Sequence, residues 1–314
     1  MKRTNALTEG AMTAVLFIVL LLIAFYVPLI GYIIIWFLPL PFVAYVLRNQ
    51  LKPAFTVWAV SLVIALLVAS LYGFLLAFVF ASGGLVVGEL YRRRYSAFGV
   101  LLGGSLIYTA GVIIVFIFSV VFLDLNVISS TLQLVEQTID SAEQMATTLG
   151  EDPGNRFASM RQTLDRLHYL APIFLIFMGV SYALITQLIA TPIMKRIGFS
   201  QYVQPWIPFR EWHFPKSFLW YYLVVLIIGF LQSFTVGSAW FIVYYNLFMI
   251  LQMAMLIQGV SFIFFFMHLK KVRKGISILV LVAFLFFWAL LMPFVRIIGI
   301  IDLGFDLRKR LRPS

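Results

Sequence analysis

The chain has 314 residues, of which 63% are hydrophobic, 17% aromatic and only 11% charged, and it carries a net charge of +11 at neutral pH. A soluble domain carries about 25% charged residues, so a soluble globular fold is excluded. Cysteine is absent, which removes disulfides, thiolate metal sites and a cysteine nucleophile.

Nine stretches are apolar enough to cross a bilayer, at about 7–27, 30–47, 54–71, 74–91, 97–122, 169–193, 217–235, 240–268 and 276–298. A span needs roughly 20 apolar residues at 1.5 Å rise. In lipid the backbone must satisfy its own hydrogen bonds, so such spans are helices. The expected fold class is therefore an all-α polytopic membrane protein with about eight or nine transmembrane helices. The first run, after Lys2 and Arg3, is too long for a secretory leader and lacks a small-residue cleavage site before Pro28, so it reads as an uncleaved first span. The second is short and contains Pro39 and Pro41, which predicts a kink or local unwinding. The third and fourth form one apolar block split by Tyr72-Gly73, and a hairpin there is expected over a single long helix. The ninth is interrupted by Pro293, Arg296 and Gly299.

Positive clusters at Lys2-Arg3, Arg48 and Lys52, Arg92 to Arg94, Lys195 to Lys216 and Lys270 to Lys274 alternate with connections near 28–30, 72–73 and 235–240 that carry no Lys or Arg. By the positive-inside rule this places the N-terminus in the cytoplasm, in a bacterial cell (inner) membrane crossed many times. The net charge then reads as topology and contact with anionic lipid, with no nucleic acid as partner. Nine spans would put the basic tail at Arg308 to Arg312 outside. A cytoplasmic tail is expected instead, with the interrupted last block failing to span.

The largest connection, 123–168, holds seven of the twelve acidic residues and falls outside by alternation. Ile128, Leu132, Val135, Ile139, Ala142, Ala146 and Leu149 recur at spacings of four and three, one stripe of a helix. Glu151-Asp152-Pro153-Gly154-Asn155 is a turn signal, and Phe157, Met160, Leu164 and Leu167 resume the stripe. An exterior helical hairpin follows, either a self-packed lid or a docking site for a partner. The inner loop 201–216 is too rich in proline for a long helix, and Trp206, Phe209, Trp212 and Phe214 suit a headgroup-level anchor or a partner-binding elbow.

No catalytic constellation is present. His168, His213 and His268 have no metal-ligand spacing, and there is neither a nucleophile elbow nor a phosphate loop. The chain is expected to be no enzyme and to hold no metal or cofactor. Glu89 stands one turn from Arg92 and Arg93, which predicts a structural ion pair, while Arg296 and Asp302 are candidates to pair across a break. Ala6, Gly10 and Ala14 form a small-residue stripe, and Gly84/Gly88 and Gly99/Gly103 repeat the spacing that lets helix backbones approach, for internal packing or a partner interface. Asn246, Gln252 and Gln258 are intramembrane polar residues that read as interhelical glue or a polar pathway.

The Ala6-Leu-Thr-Glu-Gly-Ala-Met-Thr-Ala14 start, the Leu38-Pro39-Leu40-Pro41 span and the run from Gly83 to Arg92 resemble the substrate-binding S components of energy-coupling-factor transporters, over residues 1–197. Over its whole length the chain is similar to the YybS-type bacterial membrane proteins, through Phe209-Arg-Glu-Trp-His-Phe-Pro215, Leu256-Ile-Gln-Gly259 and Gly299-Ile-Ile-Asp-Leu-Gly-Phe-Asp-Leu-Arg-Lys-Arg310. The S-component resemblance implies a six-helix membrane core at 1–197 that includes the hairpin, with a substrate cavity opening outward. It also implies that the Ala6, Gly10 and Ala14 stripe meets a transmembrane coupling protein with separate ATPase subunits. The family has alanine where this chain has Gly10. The loop 198–216, the C-terminal helices 217–300 and the basic tail 301–314 lie outside that likeness.

Two functions follow. One is a solute-binding, transporter-like subunit, with Trp36, Tyr72, Tyr108 and Asn126, chosen by depth, as candidate substrate contacts. The other is a membrane scaffold or accessory protein that recruits envelope proteins through the hairpin and the aromatic loop.

Overall fold

The computed structural model describes residues 2–150, 154–232, 234–272, 275, 279, 282–284 and 286–311. Among them every regular element is helical, as expected of segments whose backbone must satisfy itself in lipid. Six helical stretches among the described residues are long and apolar enough to cross a membrane: Ala6–Tyr26, Gly31–Asn49, Leu51–Arg92, Ala97–Leu123, Ala171–Tyr202 and Ala239–Leu269. The protein is all-α and polytopic. It divides into two compact units, one of residues 1–161 and 174–206 and the other of 162–173 and 207–314.

In the first unit α1 (Lys2–Tyr26) buries Gly10, Ala14, Phe17 and Leu21, a stripe at helical spacing. Its neighbour is the second span, which the two prolines break into α2 (Gly31–Ile34), a 3-10 turn at Ile35–Phe37 and α3 (Leu40–Asn49). Phe17 meets Phe42 edge-on at 5.0 Å, and the Tyr45 hydroxyl donates to the Ala6 carbonyl at 3.0 Å. A β-carbon on Gly10 would lie 2.8 Å from Val57 and 3.2 Å from the Tyr45 hydroxyl, so Gly10 packs against α3 and α4 (Leu51–Arg92), while Ala6, Gly10 and Ala14 also line an open groove of about 650 Å³ beside Tyr45, Lys52 and Val57.

α4 is the expected hairpin. Helical geometry fails at Ala69 and Ser70, and Ser70 has φ 61° and ψ −176°. Across the reversal Trp58 donates to the Ser82 hydroxyl at 3.1 Å and lies 6.2 Å from the Phe78 ring, so the two arms run antiparallel. The turn falls just before the Tyr72-Gly73 pair that marks it in sequence. Gly73 serves the close approach behind the turn, where a β-carbon would collide with that of Ala69. Further along the second arm, Gly84 and Gly88 seat α3. β-Carbons there would stand 2.5 Å from the Pro39 carbonyl and 3.1 Å from Val43 Cα.

α5 (Ala97–Leu123) and α8 (Ala171–Met194) complete this unit. Their close approach uses Gly104 against Ala183 and Gly179 against the Thr109 backbone. Gly99 and Gly103 fall beside this face, Gly99 against its own turn and Gly103 against the Leu90 side chain. At the basic end Gln187 donates to the Ala97 carbonyl at 2.9 Å, and Tyr91 and Thr191 share a 2.9 Å hydrogen bond. Glu89 takes Arg92 at 2.7 Å and Arg93 at 2.6 Å, the structural ion pair expected from their spacing.

The acidic connection folds as α6 (Val127–Thr148) and α7 (Gly154–His168). Arg161 bridges to Asp140 at 2.8 Å and to Glu143, and these two carboxylates, Glu143 first, push the guanidinium pKa up. Ile139 and Phe157 are buried, whereas Val135 and Leu149 on the same stripe are exposed. Residues 151–153 of the predicted turn lie outside the described residues.

In the second unit α9 (Ser217–Leu231), α10 (Ala239–Leu269) and α11 (Trp288–Phe305) enclose a core of Tyr222, Val225, Leu251, Met255 and Leu303. The expected interruption at Pro293, Arg296 and Gly299 is not where the ninth run breaks, because α11 continues through all three. Pro293 sits in the second turn of α11, where its missing N–H removes a single intrahelical bond. Gly299 lets the α11 backbone touch α10. A β-carbon there would collide with the Met255 carbonyl and come within 2.8 Å of the Gly259 nitrogen. Arg273, Lys274, residues 276–278, 280–281 and 285 lie outside the described residues, as do residues 312–314 of the tail.

Candidate functional site

Two places gather side chains that could act on something else. In the first unit, the second arm of α4 together with α5, α8 and the start of α6 walls a partly open cavity of about 370 Å³, within the range of ligand pockets. Leu75, Leu76, Val79, Val112, Val115, Phe116, Leu175 and Met178 supply an apolar lining. Tyr72, Ser119 and Tyr182 bring side-chain hydroxyls to the lining, and among the described residues no charged side chain lines it. The Ser119 hydroxyl already donates to the Leu125 carbonyl at 2.8 Å, where α5 ends and Asp124 turns the chain at φ 51°.

Behind the cavity stands an aromatic wall. Tyr182 packs on Phe80 at 5.3 Å, on Trp36 at 5.6 Å and on Tyr108 at 6.0 Å, and Phe80 in turn meets Tyr108 at 6.2 Å. Tyr108 is fully buried and shares a 2.9 Å hydrogen bond with Thr186, an answer to the cost of a hydroxyl held in an apolar interior. Tyr182 is held edge-on by Trp36 and Tyr108 and by a tilted contact with Phe80, and a ring packed by three neighbours has little rotamer freedom, so the wall is rigid.

Of the four candidate contacts, Tyr72 lines the cavity, and Trp36 and Tyr108 stand in the wall one ring behind it. Asn126 lies nearby in sequence and accepts the Ser129 N–H at 3.1 Å as the N-cap of α6, which engages its amide oxygen. Phe80 and Tyr182 are the residues that sequence reasoning passed over. They sit in helices that are apolar on all sides, so no periodicity singles them out.

The second gathering is a buried polar knot in the other unit. Gln258 accepts the Phe214 N–H at 2.9 Å and donates to Asp302 Oδ2. Arg308 donates through Nε to the same oxygen at 2.9 Å, through Nη1 to the Arg210 carbonyl at 3.0 Å and through Nη2 to the Ser261 hydroxyl at 3.0 Å. Its guanidinium also lies 5.4 Å from the Phe265 ring centre. Ser261 reaches the Phe209 and Trp212 carbonyls at 2.7 and 2.8 Å. Asp302 is wholly buried, and its Oδ1 has no hydrogen-bond partner among the described residues. Asp302 therefore pairs with Arg308 and not with Arg296, because α11 runs unbroken from 296 to 302 and cannot fold one onto the other. At the rim, Lys216 holds Asp306 at 2.5 Å, and that hydrogen bond, followed by the charges of Lys216, Lys309 and His213, keeps the Asp306 carboxyl below its ordinary range.

Of the three intramembrane amides, Gln258 belongs to this knot. Asn246 donates to the Tyr169 and Ile242 carbonyls at 2.7 and 2.8 Å and accepts the Ile173 N–H at 3.1 Å, which satisfies backbone groups between α7 and α8. Gln252 is half-buried and belongs to neither network.

The knot joins three separate segments of the chain, at 209–215, 256–259 and 299–310. Residues 15–303 match the family described as predicted membrane protein (DUF2232). The chain belongs to the DUF2232 family. The Bacillus subtilis (strain 168) protein named "Uncharacterized protein YybS" is 32% identical to this DUF2232 chain over 314 residues, covering 99% of this chain and all of the relative. No solved structure matches it. Neither match names a transporter, so the S-component likeness of residues 1–197 stays at the level of sequence resemblance. What these matches and the helices establish of this DUF2232 protein is an integral, multi-pass membrane protein in contact with the lipid bilayer.

Proposed function

We propose that the protein is a membrane-embedded solute-binding subunit, in which the cavity of the first unit takes up a small molecule for transport. The cavity itself carries this reading: about 370 Å³ of space bounded by a rigid aromatic wall, at the end of the helices opposite the Glu89–Arg92 pair. The likeness of residues 1–197 to S components points the same way. In this reading the chain itself catalyses no reaction, and the energy for transport comes from a transmembrane coupling protein with separate ATPase subunits.

The same proposal sets the orientation. Loop charge favours a cytoplasmic N-terminus in the bacterial cell membrane, with the α6–α7 hairpin and the mouth of the cavity on the outer side.

The test is retention of a small molecule. Wild type extracted with its native lipid should yield, by mass spectrometry, a stoichiometric solute. Leu76→Trp and Met178→Trp fill the cavity from α4 and from α8, and each should lose it while remaining monodisperse. Equal retention by wild type and both variants would end the proposal.

A further inference from the structure

Resting on the solute-binding reading, we infer the chemical class of the solute: an uncharged, largely apolar molecule with a single hydrogen-bonding group, which the Tyr182 hydroxyl reads. Among the described residues the lining carries no Asp, Glu, Lys, Arg or His, so an ionised ligand entering it would lose its hydration with no opposite charge to meet. Among the polar groups of the lining, the Ser119 hydroxyl already donates its hydrogen bond to the Leu125 carbonyl. Tyr72 is more than half exposed, at 55%, and none of the ring contacts that fix Tyr182 hold it.

Tyr182 differs from both. Its ring is set by Trp36, Phe80 and Tyr108, and its hydroxyl makes no hydrogen bond among the described residues. A polar group that is oriented before the ligand arrives, and that has no internal partner to give up, contributes to affinity without an ordering cost. Tyr108 is its counter-example in the same wall, a buried hydroxyl already engaged by Thr186. The size of the cavity and its aromatic back wall favour a flat or compact body over a long chain.

Three matched probes test the class: naphthalene, 2-naphthol and 2-naphthoate, titrated against the full-length protein in lipid nanodiscs. Binding to the cavity is the signal lost in Leu76→Trp, which corrects for partition into lipid. The expected order is 2-naphthol about five-fold tighter than naphthalene, the worth of one ordinary hydrogen bond, with 2-naphthoate weaker than either by tens of fold. Tyr182→Phe should remove the advantage of 2-naphthol and leave naphthalene unchanged, a split that general loss of structure would not produce. If 2-naphthoate binds as well as 2-naphthol, or if Tyr182→Phe leaves the 2-naphthol advantage in place, the class is wrong although the cavity binds. If none of the three gives a signal that Leu76→Trp removes, the solute-binding reading fails together with the class.

Discussion

Asp302 and Arg308 show what a single charge pair does in an apolar setting. Both side chains are almost completely buried, so the attraction between them must offset the desolvation of two ions, and the added bonds from Gln258, Ser261 and the Arg210 carbonyl supply much of that compensation. Arg308→Ala should destabilise the protein by about 3–5 kcal/mol, because it leaves the Asp302 carboxylate buried and unpaired. The double variant Asp302→Asn with Arg308→Gln should recover most of that loss, which thermal or denaturant unfolding of the purified protein will read. A melting temperature that does not move in Arg308→Ala would contradict the pairing. This knot was only half legible in the sequence. Gln258 stands out as a polar residue in an apolar run, but Arg296 and Arg308 each lie six residues from Asp302, so spacing alone does not choose between them. The choice of Arg308 depends on the left-handed turn at Asp306, φ 49°, which nothing in the residue pattern announces.

At the scale of the helix, the determinant is where small residues let backbones meet. The reversal in α4, the break in the second span and the acidic hairpin were all readable, since proline, glycine and charge act locally. Which face of an all-apolar helix turns inward was not readable, and this is why Gly104 and Gly179 carry the α5–α8 approach while the Gly99/Gly103 spacing falls beside it. The first-helix stripe is the sharper case. A partner interface and internal packing make the same pattern in sequence. In the fold Gly10 is buried beneath Val57 and Tyr45. Gly10→Leu should therefore lower stability by about 1–3 kcal/mol through overpacking, seen as a lower melting temperature. Unchanged stability together with loss of a co-purifying membrane protein would instead assign the stripe to a partner.

For the whole molecule, the alternation of charge and the helix ends are mutually consistent within the first unit. Asn49 donates to Glu9 at 2.6 Å at the basic end, and Tyr26 donates to the Val68 carbonyl at 3.2 Å at the other. Because the chain has no cysteine, single-cysteine reporters can be placed without a prior background variant. Reporters at Ser141 and Thr147 in the hairpin should react with an impermeant thiol reagent in intact cells, and one at Ser200 should not. Labelling at Ser200 would reverse the proposed orientation and put the mouth of the cavity in the cytoplasm.

The cavity is where function and fold meet, and a density map of the protein extracted in native lipid tests it most directly. The expected result is compact density enclosed by Tyr72, Leu76 and Met178, with its polar end within hydrogen-bond reach of the Tyr182 hydroxyl and its body against the Phe80 wall. A cavity closed by its own side chains, with Leu76 and Phe116 packed against Tyr182 and no room for a solute, would contradict it.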